Sequence, residues 1–178
     1  MRDPNPDQPS GALYRLDSSG NYACILDGIR IPNAIAWSPD NRIMYFGDTR
    51  AGIIWAFDFN LTAGEITNKR VFVDLSGQSG RPDGATVDAE GYLWNAEYGG
   101  SRVVRYTPNG KYDRQVDLPV TNVTCCAFGG VDFSTLFITT AAQNLTAAEL
   151  ENQPLAGGLF ACDLAIRGLP EPYFADKT

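Results

Sequence analysis

Between Pro32 and Asn60 short apolar runs alternate with polar turns: Ala34-Ile35-Ala36-Trp37, the turn Ser38-Pro39-Asp40-Asn41, then Ile43-Met44-Tyr45-Phe46, a turn bearing Gly52, and Ile53-Ile54-Trp55-Ala56-Phe57. The runs are too short for ordinary helices, rich in β-branched and aromatic residues, and bounded by turn formers, which predicts strands. The pattern returns. "PDGATVDAEGYLWNAEYGGSRVVRYTPNG" (Pro82 to Gly110) lies without a gap over "PNAIAWSPDNRIMYFGDTRAGIIWAFDFN" (Pro32 to Asn60) at an offset of 50 residues, so that Asn33 stands over Asp83. A third copy opens at "TCCAFGGVDFSTLFITTA", with Ala127-Phe128 over Ala36-Trp37 and Thr124 at the position of Asn33 and Asp83. Its later strand, "GGLFACDL", follows an insertion. Ahead of the first full repeat, "GALYRLDSSGNYACIL" reads as the last two strands of an earlier unit.

Repeats of about 40–50 residues built from short strands, Gly-bearing turns and aromatics are the pattern of a β-propeller, in which each four-stranded blade buries its faces against its neighbours. The expected fold is therefore all-β, a β-propeller of four-stranded blades with about three and a half blades present. A β-sandwich would also give many short strands, but not an ungapped internal repeat. The insertion "AQNLTAAELENQP" carries the one helical signal: Thr146 can cap, Glu149 can complete a capping box, and Pro154 ends the turn.

Composition narrows the function. The chain has 178 residues, 44% hydrophobic and 20% charged, enough for one ordinary domain spanning residues 1–178. Its net charge is −7, with 14 Lys+Arg among 21 Asp+Glu and no basic stripe, which argues against a nucleic-acid partner. The start, "MRDPNPDQPSGALYRL", is polar and Pro-rich without the apolar stretch of a signal peptide, and no apolar run of about 18 residues occurs. The expectation is a cytoplasmic protein with no membrane segment. The three N-x-T sequons, at Asn60, Asn122 and Asn144, then read as chance. Cys24, Cys125, Cys126 and Cys162 are few and unpatterned; Cys125 and Cys126 lie in an apolar run and read as buried thiols rather than a disulfide.

In a propeller the first strand of each blade lines the central channel, so Asn33, Asp83 and Thr124 are expected to converge at its mouth although they are far apart in sequence. Three oxygen-bearing side chains facing one cavity, in a chain without histidine, point to a hard cation. The competing reading stays open at this level: Asn and Asp beside Pro, Gly or Ala are common turn residues that could simply shape blade entry. Other machinery is excluded. A Ser-His-Asp triad and zinc-histidine chemistry need histidine, no Gly-x-Ser-x-Gly occurs, and the pairs Gly99-Gly100, Gly129-Gly130 and Gly157-Gly158 fit blade turns rather than a phosphate loop.

The strings "IPNAIAWSPDNRIMYFGDT", "FDFNLTAGEITNKRVFVDL", "RPDGATVDAEGYLWNAEYGGSRVVRYTPNGK" and "LPVTNVTCCAFGG" through "QPLAGGLFACDL" resemble, in order and spacing, the SMP-30/gluconolactonase/regucalcin-like family. The resemblance covers nearly the whole chain. It implies a six-bladed propeller that hydrolyses a small-molecule sugar lactone with one divalent metal cation (Ca, Zn, Mn or Mg) in the channel. The family's metal-binding Asn falls on Asn33, and its metal-binding Asp, also proposed as the base, falls on Asp83. The family's third ligand, a Glu near its N-terminus, and its substrate-gripping Arg and Asn lie in first blades that this sequence does not match. Met1 resembles a Met that precedes "G-A-L-Y-R" in the family, so the chain reads as the C-terminal three-fifths of a ring. Ala34 stands where the family usually has Gly, and Asn95 where an aliphatic residue is usual.

Arg81, Glu97, Tyr98 and Thr124 are weaker candidates for contact with substrate. For the first three there are plain alternatives: a solvated loop charge, a strand-end carboxylate and packing between blades. Two function classes follow from the resemblance. One is a cation-dependent sugar lactonase. The other is a catalytically inactive partial propeller acting as a cation-binding or protein-interaction module, with self-association through its open blade faces.

Overall fold

The computed structural model describes residues 8–172, so Met1 lies outside the described residues. Among the described residues, thirteen strands form four antiparallel sheets. Strands β1 (Gly11–Leu16) and β2 (Tyr22–Ile29) make a two-stranded sheet. Two four-stranded meanders follow. The first contains β3 (Pro32–Trp37), β4 (Ile43–Asp48), β5 (Ile53–Asn60) and β6 (Glu65–Asp74). The second contains β7 (Arg81–Val87), β8 (Leu93–Tyr98), β9 (Arg102–Tyr106) and β10 (Tyr112–Asp117). A three-stranded sheet of β11 (Val123–Gly129), β12 (Thr135–Thr140) and β13 (Leu159–Asp163) ends the series. The first strands of successive sheets lie side by side, β3 against β7 and β7 against β11, which is the blade arrangement of a propeller.

Three apolar layers hold the sheets together. Met44, Phe46 and Phe57 pack with Ile29 and Leu26 between the first two sheets. Tyr45, Ile54, Leu93 and Val104 fill the gap between the two meanders, and Trp94, Val103, Leu136 and Ile138 the gap before the last sheet. β4 and β8 are therefore buried on both faces; β4 accordingly opens as the unbroken apolar run Ile43-Met44-Tyr45-Phe46, while β8 buries Asn95 and Glu97 among its apolar residues. Among the described residues the outer faces of the two end sheets are uncovered: Leu159 is 67% exposed on β13, and Tyr22 is 77% exposed on β2.

The repeat needs one correction. Trp37 pairs with Met44, whereas Val87, its match at an offset of 50, pairs with Leu93. The turn of the second meander is one residue shorter, so the ungapped alignment holds for β3 and β7 and slips by one in the strands that follow. Glu97, not Tyr98, is thus the counterpart of Asp48: the two carboxylates pair with Pro82 and Pro32. Asp48 is the last residue of β4 and Glu97 the last but one of β8, and both are almost fully buried. By the same register Asn95 stands where the first meander has Phe46. It is fully buried, and neither its Oδ1 nor its Nδ2 has a hydrogen-bond partner. An unpaired amide in such a place costs about 1–3 kcal/mol relative to an aliphatic side chain.

The insertion forms α1 (Ala147–Asn152). Its capping box closes as the sequence predicts: Glu149 N–H donates to Thr146 Oγ1, and Thr146 N–H donates to Glu149 Oε2. Gln153 Oε1 accepts from the Thr121 N–H and hydroxyl, fastening the loop at the end of the sheets where β11 begins. No helix among the described residues is long and apolar enough to cross a membrane. All four cysteines are free; Cys126 is buried, but Cys24 and Cys125 are exposed, so Cys125 is not the buried thiol the sequence predicts. Cys125 is exposed although its side chain lies against Gly84 of β7.

Candidate functional site

The three repeat positions share one local device. The ladder of β3 with β4 breaks between Asn33 and Ile35, that of β7 with β8 between Pro82 and Ala85, and that of β11 with β12 between Val123 and Cys125. A bulge inserts an unpaired residue and re-aims the side chains beside it. In β3 it requires a left-handed residue, Ala34 at φ 45°, a conformation that an L-residue with a Cβ enters only at a cost and that glycine enters freely. In β7 the bulge holds Asp83 and Gly84. A Cβ on Gly84 would run into the Sγ, Cβ and Cα of Cys125, so glycine is needed for β7 and β11 to approach.

The bulges bring Asn33 and Asp83 together. Asn33 Nδ2 donates to Asp83 Oδ1 at 2.5 Å and to Thr49 Oγ1 at 3.3 Å, while Asn33 Oδ1 accepts from the Ala34 N–H at 3.1 Å. Burial of the carboxyl pushes Asp83 up to about 6, against the opposing hydrogen bonds from the Asn33 amide and the Gly84 N–H. A carboxylate so placed is ionised at neutral pH and still basic enough to accept a proton. Cys125 lies within electrostatic reach: although the residue is exposed, its thiol sits against Gly84 of β7, and the loss of solvation there first, then the Asp83 charge, raises it. It is a neighbour of Asp83 that the sequence reading passed over. The signal was the alternation Val123, Cys126 inward and Cys125, Ala127 outward, which "VTCCAFGG" does not reveal without the bulge.

The other candidates are placed differently. Thr124 sits on the β11 bulge, its hydroxyl 2.8 Å from that of Thr139. Arg81 turns back on its own loop, donating through Nη1 to the carbonyls of Leu75, Gln78 and Gly80. Glu97 is fully buried, accepting from Arg102 Nε at 2.8 Å and from the Tyr106 hydroxyl at 2.7 Å, so both of its oxygens serve the meander. Tyr98 is half-buried, bridged to Asn122, with its hydroxyl 3.4 Å from the Gln143 carbonyl oxygen of the inserted loop. A groove lined by Ile35, Trp37, Thr86, Val87, Leu169 and Pro170 lies at the opposite ends of β3 and β7 and shares no residue with the Asn33–Asp83 pair.

For a divalent cation, the residue types of the pair fit: an amide and a carboxylate, whose oxygens are hard ligands, meet from adjacent strands, although the amide now turns its nitrogen to Asp83. Among the described residues no group of three or more His, Cys, Asp or Glu side chains is gathered to hold a metal, so Asn33 and Asp83 are two donors of a larger set rather than a closed cage.

Comparison with known proteins bears on this geometry. Regucalcin of Oryctolagus cuniculus is 40% identical over 92% of this chain and 55% of its own length. The solved structure of a calcium-binding protein, regucalcin, from Agrobacterium tumefaciens superposes with a TM-score of 0.91 at 31% identity, covering 97% of this chain and 58% of that one. A gluconolactonase from Xanthomonas campestris superposes with a TM-score of 0.62 at 29% identity over 72% of this chain and 41% of its own. The chain thus spans little more than half the length of the curated relatives it matches. The family model described as the SMP-30/Gluconolactonase/LRE-like region matches residues 1–142, which include the bulges that bear Asn33, Asp83 and Thr124. With the blade order and the paired amide and carboxylate in place, the chain belongs to the SMP-30/gluconolactonase/LRE-like family.

Proposed function

We propose that this chain carries the cation-binding and proton-accepting part of a sugar lactonase, with Asn33 and Asp83 as metal donors and Asp83 as the base. The observation that carries the reading is the meeting of Asn33 and Asp83 across two adjacent inner strands, with Asp83 raised to about 6. The names of the relatives support the chemistry: one solved neighbour is a gluconolactonase and another a calcium-binding protein. Calcium is accordingly the first cation to try, with zinc, manganese and magnesium beside it.

The chain's residues act as follows. Asp83 accepts the proton of the water that adds to the lactone carbonyl carbon. The ring C–O bond then breaks, and the proton passes from Asp83 to the departing ring oxygen, so that water and lactone give the open hydroxy acid. In the cation-free chain Asn33 holds the carboxylate in place through its amide N–H. A lactone carbonyl is polarised by the positive charge of the cation when one is bound. Tyr98, paired with Arg81 at the start of β7, and Thr124, at the start of β11, are the stronger candidates for substrate contact. Arg81 and Glu97, tied up in their own loop and sheet, have weaker claims to it.

The exposed end sheets favour a second reading, a partial propeller without activity. Phe137 and Leu159 lie on the open side of the last sheet, and Tyr14, Leu16 and Tyr22 on the first. Such surfaces promote self-association.

One experiment separates the readings: acid release from a panel of sugar lactones by the 178-residue chain, with and without EDTA. Hydrolysis that disappears in EDTA and returns with excess Ca²⁺ or Mn²⁺ is the expected result. Hydrolysis unchanged by EDTA would refute the cation mechanism. No hydrolysis from a chain that light scattering finds self-associated would favour the module.

A further inference from the structure

The Asn33 amide presents its nitrogen, not its oxygen, to Asp83. That is the orientation a cation-free chain must take, since the reverse would set Asn33 Oδ1 against a carboxylate oxygen. It is also the wrong orientation for a metal, because an amide coordinates through its oxygen and its NH₂ has no acceptor capacity. Cation binding between the two side chains therefore requires the Asn33 amide to turn, and the turn gives up the bond from the Ala34 N–H to Oδ1.

One group can serve both orientations. The Thr49 hydroxyl now accepts from Asn33 Nδ2 at 3.3 Å, and a hydroxyl can donate as readily as it accepts. Thr49 is also firmly placed. Its N–H donates to the Ile31 carbonyl at 3.0 Å. The preceding residue, Asp48, accepts from the N–H groups of Arg30, Ile31, Arg50 and Ala51, fastening this turn to the entrance of β3.

We propose that Thr49 is a positioning residue of the cation site, its hydroxyl accepting from the Asn33 amide in the cation-free chain and donating to Asn33 Oδ1 when that oxygen turns toward a cation. The inference rests on the cation reading of Asn33 and Asp83. It adds a contributor from the β4–β5 turn, outside both inner strands.

The test is a Ca²⁺ titration of the 178-residue chain, followed by the side-chain ¹⁵N–¹H₂ signals of Asn33, for wild type, Thr49→Val, Thr49→Ala and Thr49→Ser. Valine keeps the shape and removes the hydroxyl; alanine serves should valine disturb the turn. Groups that orient a metal ligand are worth about 10–100-fold in affinity. The hydroxyl-free variants should bind Ca²⁺ at least about 10-fold more weakly, serine should restore affinity to within about 2-fold of wild type, and thermal unfolding of the cation-free variants should be little changed. A purely structural Thr49 would move the unfolding temperature and not the affinity. Thr49→Val binding as tightly as wild type would overturn the proposal while leaving Asn33 and Asp83 as ligands. A wild-type chain whose Asn33 signals ignore Ca²⁺ would overturn the cation reading itself, and the role of Thr49 with it.

Discussion

Asp83→Asn is expected to lower the rate of sugar-lactone hydrolysis by about 10²–10⁴-fold at saturating cation, the usual cost of losing a general base. The substitution keeps the shape and one oxygen donor, and its Oδ1 can still accept from Asn33 Nδ2, so the site should remain folded. Asn33→Ala should fail differently, through weaker cation affinity that added metal partly restores. A second readout follows from Asp83 itself. Its carboxyl is raised from 3.8 to about 6 in the fold, so between those values the folded chain binds more protons than the unfolded one. The associated stability is complete below about pH 4 and is lost as the pH rises through about 6. Above that point wild type holds a poorly solvated charge that the amide does not. In the absence of cation, Asp83→Asn should therefore unfold at a higher temperature than wild type at pH 8, with the gap closing toward pH 5. Near wild-type turnover for Asp83→Asn would mean that Asp83 only shapes the entry to β7.

Asp48→Ala should produce the largest loss of stability. The Asp48 side chain is buried, and its two oxygens accept four backbone N–H groups at 2.9 to 3.3 Å, those of Arg30 and Ile31 before β3 and of Arg50 and Ala51 after β4. Alanine leaves all four donors without their acceptor, at a cost of about 3–5 kcal/mol, well beyond that of an ordinary surface substitution. In a chain of this size that lowers the unfolding midpoint by roughly 10 °C. Asp48→Asn retains one acceptor oxygen and should lose about half as much. Urea unfolding with an unchanged slope measures the difference. A loss below about 1 kcal/mol for Asp48→Ala would show that the N–H groups find other partners.

Much of this was legible in the sequence. The inner strands could be aligned because Pro32-Asn33 and Pro82-Asp83 mark the same point of two repeats, and the bulges at those points keep the two side chains facing one another. The one-residue slip that follows was not legible, because β4, buried on both faces, opens as the unbroken apolar run Ile43-Met44-Tyr45-Phe46 and without a period of two shows no register of its own. With the slip, Glu97 rather than Tyr98 is the counterpart of Asp48, a buried carboxylate inside a sheet. Asn95 was visible as a departure from the family, but that its amide has no partner is a property of the packed interior. Thr49 gave no sequence signal. It matters only through the folding of the β4–β5 turn onto β3, and hydroxyls in turns are common for other reasons.

The central claim, that Asn33 and Asp83 form a cation site, is tested most directly by finding where a cation goes. A ¹⁵N-labelled chain titrated with Mn²⁺ should lose signal first from the Asn33 side-chain amide and the backbone N–H groups of Ala34 and Gly84, and Asp83→Asn should weaken or abolish that localised loss. Broadening centred instead on exposed acidic turns such as Asp40 or Asp58, or broadening at Asn33 that is unchanged in Asp83→Asn, would contradict the site.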